Sequence, residues 1–246
     1  MNELHGRVAF VTGGSRGIGA AIARALADRG ADVAITYVNS KDRAAEVACD
    51  IKDRGRRALA LQADAADPRA LAAAVEETVE LLGRLDILVN NAGIFPVGAL
   101  SELGLDEFDR TVAVNVRGPY AAARAAAAHL GEGGRIISIG SNVAERVPFG
   151  GMALYALTKT ALAGLTRGLA RELGPRGITV NLVHPGPTDT DANPADRPEA
   201  AGIAAMTALG RYAGADEVAS VVAFLAGPQA AYVTGASINA DGGWAA

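Results

Sequence analysis

A single cysteine, Cys49, stands among the 246 residues, so no intrachain disulfide can form and no cysteine-based zinc site can be built. It falls in a helical stretch, Lys41 to Arg54, where it is expected to behave as an inert small hydrophobe. Histidine is as scarce: His5, His129 and His184 are scattered, without the paired spacing of a metal site, and no metal is expected. Charge of one sign never accumulates. The 23 Lys and Arg and 27 Asp and Glu are spread along the chain, giving a net charge of −4. Without a basic tract or an acidic tail, a general nucleic-acid or membrane-surface binder is excluded. No apolar run reaches membrane length, and the alanine-rich stretch 121–128 is interrupted by Arg124. Met1-Asn-Glu-Leu-His-Gly leads directly into a strand, leaving no room for a signal peptide, so a cytoplasmic location is expected. Hydrophobic residues make up 50% and charged residues 20%, ordinary for a soluble globular chain able to bury a substantial core.

Strand and helix patterns alternate from end to end. Apolar runs at 7–12, 32–38, 58–63, 85–90, 135–140, 177–183 and 237–240 read as seven strands. Helical patterns separate them: a first helix ending at Gly30 as C′ residue, Lys41 to Arg54, one capped by Asp67-Pro68, and Asp106 to Leu130. A further helix runs on from Met152, and a last one opens at Gly214. Residues 191–213 read as a loop with a short helix. There is no linker and no repeat. The pattern predicts a single α/β domain over 1–246, a Rossmann-type doubly wound seven-stranded parallel sheet flanked by helices.

Chemistry collects at the carboxyl ends of the strands, where open α/β sheets place their ligands. The first strand runs into Gly13-Gly-Ser15-Arg16-Gly17-Ile18-Gly19 and then a helix, the arrangement that lets a pyrophosphate approach backbone N–H groups. After the second strand, where an NAD enzyme places an acidic residue, the chain has Tyr37-Val-Asn-Ser40-Lys41. With Arg16 this suits a 2′-phosphate and favours NADP(H) over the alternative that Arg16 and Lys41 are solvated surface charges. Ser141 follows the fifth strand, and Tyr155 and Lys159 lie four apart, on one helical face. An ammonium beside a phenol favours the phenolate and so lowers a pKa of about 10 toward a useful range. A Tyr-x-x-x-Lys pair is also common on amphipathic surfaces, and a buried Asn115 is equally a satisfied core amide.

Together these motifs resemble the short-chain dehydrogenase/reductase family over essentially the whole chain. Thr12-Gly13-x-x-x-Gly17-x-Gly19 matches its cofactor loop and Asn90-Asn91-Ala92-Gly93 its fourth-strand motif. Asn115, Ser141, Tyr155 and Lys159 fall at its catalytic tetrad, and Pro185-Gly186 with Thr190 and Asp241-Gly-Gly at its later signatures. The resemblance implies hydride transfer between a nicotinamide and a carbonyl or secondary alcohol, of ketone or 3-oxoacyl type. Tyr155 would be general acid/base, Ser141 would hold the carbonyl oxygen, and Lys159 would lower the tyrosine pKa and contact the nicotinamide ribose. Asn115 would hold a water linked to Lys159, and Asp64 would accept from the adenine amine. Ser15, Ile18, Ala65 and Thr188 complete the implied cofactor contacts, and the family usually forms homotetramers. One departure is the spacing of Ser141 and Tyr155, 14 where many members have 13, which is expected to lengthen the substrate loop.

Two readings of function remain. Segments such as His184-Pro-Gly-Pro-Thr-Asp-Thr190 also resemble a family member described as a cyclic-di-GMP-binding biofilm-dispersal protein, which would make the chain a ligand-binding regulator on a reductase fold. The loops expected to rim the nicotinamide, 93–98, 143–151 and 187–212, offer Phe95, Val97, Val147, Phe149 and Met206 but few cations: Arg146, Arg197 and Arg211. That lining suits a small or medium apolar ketone better than a doubly phosphorylated dinucleotide.

Overall fold

The computed structural model describes residues 2–246. The strands are β1 (Val8–Val11), β2 (Asp32–Tyr37), β3 (Ala58–Gln62), β4 (Ile87–Asn90), β5 (Arg135–Ile139), β6 (Thr179–Pro185) and β7 (Ser237–Ala240). They form one parallel sheet in the order β3-β2-β1-β4-β5-β6-β7. The order reverses between β1 and β4, so a crevice opens there above the carboxyl ends of the strands.

The helices are α1 (Gly17–Asp28), α2 (Lys41–Asp53), α3 (Pro68–Leu82), α4 (Leu105–Val112), α5 (Gly118–Ala127), α6 (Ala153–Leu173), α7 (Ala200–Ala204) and α8 (Ala215–Ala226). Because side chains alternate across a strand, each strand feeds two cores. Ala9, Val11, Val33, Ile35, Ile87, Val89 and Ile137 pack under α1, α2 and α8. Val8, Phe10, Ala34, Leu88, Ile136 and Val180 pack against α3, α5 and α6 on the other face. Strands buried on both faces read as continuous apolar runs, which is what the sequence shows.

Local signals set the boundaries. Asp67 caps α3, its Oδ1 accepting from Arg69 N at 2.8 Å, with Pro68 in the first turn. Gly30, at φ +100, follows α1 in the left-handed conformation. The continuous helix expected over Asp106 to Leu130 is instead two α-helices joined by a π-helical turn, Ala113–Arg117, which a 3.6-residue pattern does not register. Cys49 also departs from expectation: it faces solvent, because Ala44, Val47, Ala48 and Ile51 form the buried stripe of α2. No helix among the described residues is long and apolar enough to cross a membrane.

At the amino-terminal edge of the sheet, opposite the crevice, two buried carboxylates tie strands to loops. Asp86 accepts from Val8 N at 2.9 Å, from Arg7 at 2.7 Å and from Arg84 at 2.6 and 2.8 Å. Asp32 accepts from Arg57 N at 2.9 Å and from the Arg57 guanidinium at 2.7 Å, with Arg56 at 3.2 Å. Burial disfavours the Asp32 charge, but the hydrogen bonds from Arg57 and the charges of Arg57 and Arg56 outweigh it and hold the carboxyl below its ordinary value. A depressed carboxyl pKa contributes stability above the unfolded-state value of about 3.9 and loses it as pH falls through the folded value. Arg57 is largely exposed, so solvent screens the pair. Asp32→Asn is therefore expected to cost about 1–2 kcal/mol at pH 7, a Tm loss of about 2–8 °C. The difference from the unmodified protein should shrink in thermal melts below about pH 4.

Candidate active site

The glycine-rich turn after β1 is shaped by contacts that leave no room for side chains. A Cβ at Gly14 would lie 2.6 Å from Ile35, and one at Gly19 would lie 2.4 Å from both Asn91 Nδ2 and Gly13 O. Gly13 and Gly17 have φ of +65 and +53, the left-handed region glycine tolerates. No side chain caps α1, so the N–H groups of its first turn face the crevice.

The first and fourth loops are stitched together across the switch point. Thr12 Oγ1 accepts from Asn91 N and Ala92 N, each at 3.0 Å. Asn91 Nδ2 donates back to Thr12 O at 3.0 Å and Gly13 O at 3.1 Å. Farther along, Gly186 packs directly on Asp241, a Cβ there falling 2.6 Å from Asp241 Cα, which joins the two late signatures in space. Asp241 in turn accepts from Gly243 N at 2.9 Å and Ala245 N at 3.1 Å.

These loops enclose a crevice of ≈ 930 Å³. Its wall includes Gly13, Ser15, Arg16, Gly17, Ile18, Gly19, Tyr37, Ser40, Asp64, Ala65, Asn91, Ala92, Gly93, Ser141, Tyr155, Lys159, Pro185, Gly186, Thr188 and Thr190. Of the catalytic and cofactor-binding residues expected from the sequence, Lys41 and Asn115 lie outside that wall. Lys41 is the exposed first residue of α2, one position beyond Ser40, which does line the crevice. Asn115 is buried behind it.

Asn115 sits in the π-helical turn, and its amide is spent on the protein. Oδ1 accepts from Ile94 N at 2.9 Å, while Nδ2 donates to Ile94 O at 2.9 Å and Thr158 Oγ1 at 3.1 Å. With both amide hydrogens committed, the side chain braces the fourth loop against α6 rather than donating to a water. Gly93 lies close against it: a Cβ there would make a tight contact of 3.3 Å with Lys159 Nζ and an ordinary one of 3.4 Å with Asn115 Oδ1.

Lys159 and Tyr155 share the crevice face of α6, as their spacing requires. Lys159 is buried, its Nζ donates to Ile139 O at 2.9 Å, and it stands 5.7 Å from the centroid of the Tyr155 ring. Burial lowers its pKa to about 8. Tyr155 retains some exposure toward the crevice, yet burial dominates at its hydroxyl and pushes the pKa up to about 12. A hydrogen bond with Ser141 pulls weakly the other way. The expected lowering of the phenol pKa is thus not realised here, because the ammonium is turned to the Ile139 carbonyl and desolvation outweighs it. Ser141 Oγ donates to Asn142 Oδ1 at 3.1 Å and accepts from Val143 N at 3.3 Å.

Around Tyr155 the wall is apolar. Phe95 meets its ring edge to face, centroids 4.5 Å apart, and Val97, Phe149, Met152, Ile203 and Trp244 continue the surface. Val147 and Met206, expected on this rim, face away. Trp244 was not found from sequence; its position just after Asp241-Gly-Gly was the available signal. It is clasped to the 143–151 loop, Nε1 donating to Arg146 O at 3.3 Å while Arg146 donates to Trp244 O at 3.0 Å. Arg211 is paired with Glu217 at 2.7 Å outside the crevice. Of the three arginines expected to bear on a phosphorylated ligand, only Arg197 lines the wall; Arg110 joins it from α4.

Comparison with known proteins agrees with this geometry. A family model described as enoyl-(acyl carrier protein) reductase matches residues 13–245. The chain is 47% identical, over the whole of both chains, to the cyclic-di-GMP-binding biofilm dispersal mediator protein of Escherichia coli. It is 41% identical to versicolorin reductase of Emericella nidulans, covering 98% of this chain and 96% of that one. A short-chain dehydrogenase from Burkholderia cenocepacia, solved in complex with NADP, superposes with a TM-score of 0.98 at 57% identity, covering 99% of this chain and 100% of that chain. With its glycine turn, its stitched fourth loop and its Ser141, Tyr155 and Lys159 converging on one wall, the chain belongs to the short-chain dehydrogenase/reductase family.

Proposed function

We propose that the protein is an NADPH-dependent reductase of small or medium apolar ketones or 3-oxoacyl compounds, with Tyr155 as proton donor. The observation that carries this reading is the convergence of Ser141, Tyr155 and a buried Lys159 beside an apolar wall, at one end of a crevice built for a dinucleotide. The fit to the dinucleotide rests on the uncapped amino terminus of α1 and on glycines whose replacement would fill the cradle. Bound NADPH supplies the hydride that the carbonyl carbon accepts.

Ser141 holds the carbonyl oxygen against the phenol, and Tyr155 passes its proton to that oxygen, giving the alcohol. A phenol at about 12 is protonated at neutral pH but is a weak donor, so proton transfer depends on stabilising the phenolate that it leaves. To stabilise the phenolate as it develops, the Lys159 ammonium, 5.7 Å from the ring centroid, would turn toward it from the Ile139 carbonyl, and it would also contact the nicotinamide ribose. Gly13 to Gly19 hold the pyrophosphate, with Asp64, Ala65, Asn91, Ala92 and Gly93 along the adenosine and ribose. Pro185, Gly186, Thr188 and Thr190 close over the nicotinamide side. Arg16, Tyr37 and Ser40 receive the 2′-phosphate, no carboxylate occupying 37–41. The whole chain works as one domain, in the cytoplasm, as a homotetramer. Exposed Leu105, Tyr120, Leu157 and Phe224 on the helices supply apolar surface for that assembly.

A second reading, a cyclic-di-GMP-binding regulator, is favoured by the E. coli relative. Against it, Arg146 and Arg211 are occupied within the protein, which leaves little for two phosphates.

A panel running from acetophenone and cyclohexanone to an acetoacetyl thioester, followed by NADPH absorbance, tests the main reading. NADPH should exceed NADH in kcat/KM, and Arg16→Ala should erode that preference by about 1–3 kcal/mol, with Lys41→Ala doing less. Equal rates with both cofactors would contradict the assignment. Tyr155→Phe should lower kcat by about 10²–10⁴-fold while leaving NADPH affinity near that of the unmodified protein; retention of a tenth of the rate would point to another acid. Calorimetry with cyclic-di-GMP, with and without saturating NADPH, separates the two readings. Sub-micromolar binding together with no turnover across the panel would establish the regulator.

A further inference from the structure

His184 is fully buried at the end of β6 and does not line the crevice, yet it touches the residue that holds the substrate oxygen. Gly140 N makes the last carbonyl bond between β5 and β6, to Val183 O at 2.7 Å. One residue later the bond goes to a side chain, Ser141 N donating to His184 Nδ1 at 3.1 Å. The ring lies flat against Gly140, where a Cβ would come within 2.5 Å of Nδ1 and 2.8 Å of Cε1. The imidazole therefore holds the Ser141 amide at the point where the chain leaves the sheet and turns into Asn142–Ala144.

We infer that His184 is a positioning residue for the reduction: its neutral ring, accepting from the Ser141 amide, fixes the serine backbone so that Oγ faces Tyr155. This rests on the reading of Ser141 as the holder of the carbonyl oxygen. An accepting Nδ1 requires the hydrogen on Nε2, which faces Glu145 Oε1 at 3.8 Å without a hydrogen bond. Protonating Nδ1 would set two donors against each other 3.1 Å apart and release Ser141. Burial lowers the ring below its ordinary 6.5, the carboxylates of Glu145 and Asp241 and the Ser141 amide bond raise it, and the Lys159 charge lowers it. Burial wins, so the ring is neutral at pH 7 and charges only on the acid side of the ordinary imidazole range.

The test compares His184→Leu and His184→Asn with the unmodified protein, using NADPH and the ketone best turned over in the panel. Asparagine keeps an acceptor near the Nδ1 position; leucine removes it. His184→Leu should lower kcat about 10–10²-fold, as a misplaced reacting group does, with NADPH Kd within about twofold of the unmodified protein. His184→Asn should recover most of that loss and abolish the acid limb of the unmodified kcat profile, on the acid side of the ordinary imidazole range. Unchanged kcat in His184→Leu, or an Asn variant as slow as the Leu variant, overturns the inference. Should the Leu variant fail to fold, the Asn variant and the acid limb decide, and a limb that survives in His184→Asn overturns it. The hydrogen bond is read separately, by a scalar coupling between the ¹⁵N nuclei of the Ser141 amide and His184 Nδ1 at pH 7. A protein inactive on every carbonyl but showing the coupling defeats the reductase reading and leaves the anchoring of Ser141 established. Absence of the coupling defeats the inference whatever the activity.

Discussion

A buried ammonium is the constraint from which the rest of this site follows. Lys159 is enclosed on α6 and donates to Ile139 O, an acceptor that exists only because β5 ends at that level. Taking an ammonium out of water is costly, and the depression of its pKa to about 8 measures that cost. Gly93 packs close against the ammonium, and the next residue of that loop is held in place by the Asn115 amide gripping both polar groups of Ile94. Asn115 reaches Ile94 and Thr158 from a π-helical turn between α4 and α5. Such turns carry a small cost and recur at functional sites, and here the turn presents a brace between two elements.

The same economy of space governs the cofactor end. Loops from β1 and β4 approach so closely that Thr12 and Asn91 bond each other's backbone, and Gly14 and Gly19 have no volume for a side chain. Rigid loops around an open crevice mean that little ordering remains to be done when a ligand binds, which is how preorganisation saves binding free energy. The apolar wall of Phe95, Val97, Phe149 and Trp244 surrounds the one place where a phenol, a hydroxyl and an ammonium face one another. Few polar groups in an apolar pocket orient a ligand by shape and by one oxygen.

The sheet, the glycine turn and the spacing of Tyr155 and Lys159 were legible without coordinates, each for a local reason. Strands covered on both faces must be continuous apolar runs, a helix places residues four apart on one face, and a positive φ selects glycine. Family resemblance brought the same residues together, and almost all of them line the crevice. What was misjudged depended on direction rather than on pattern. Lys41 is adjacent to Ser40 yet lies outside the crevice wall, Cys49 falls off the buried stripe of α2, and Val147 and Met206 turn outward.

The sequence by itself determined the fold, the order of the elements and the candidates for chemistry, because those depend on periodicity and on the conformational limits of glycine and proline. Tertiary structure alone decided the state of those candidates. Desolvation, which no local pattern encodes, pushes the Tyr155 phenol pKa up and the Lys159 pKa down, and the ammonium finds its acceptor in the Ile139 carbonyl. Likewise, His184 acquires Ser141 as partner only because β5 and β6 pair side by side, Ile139 opposite Val183, although the two residues are 43 apart in the chain.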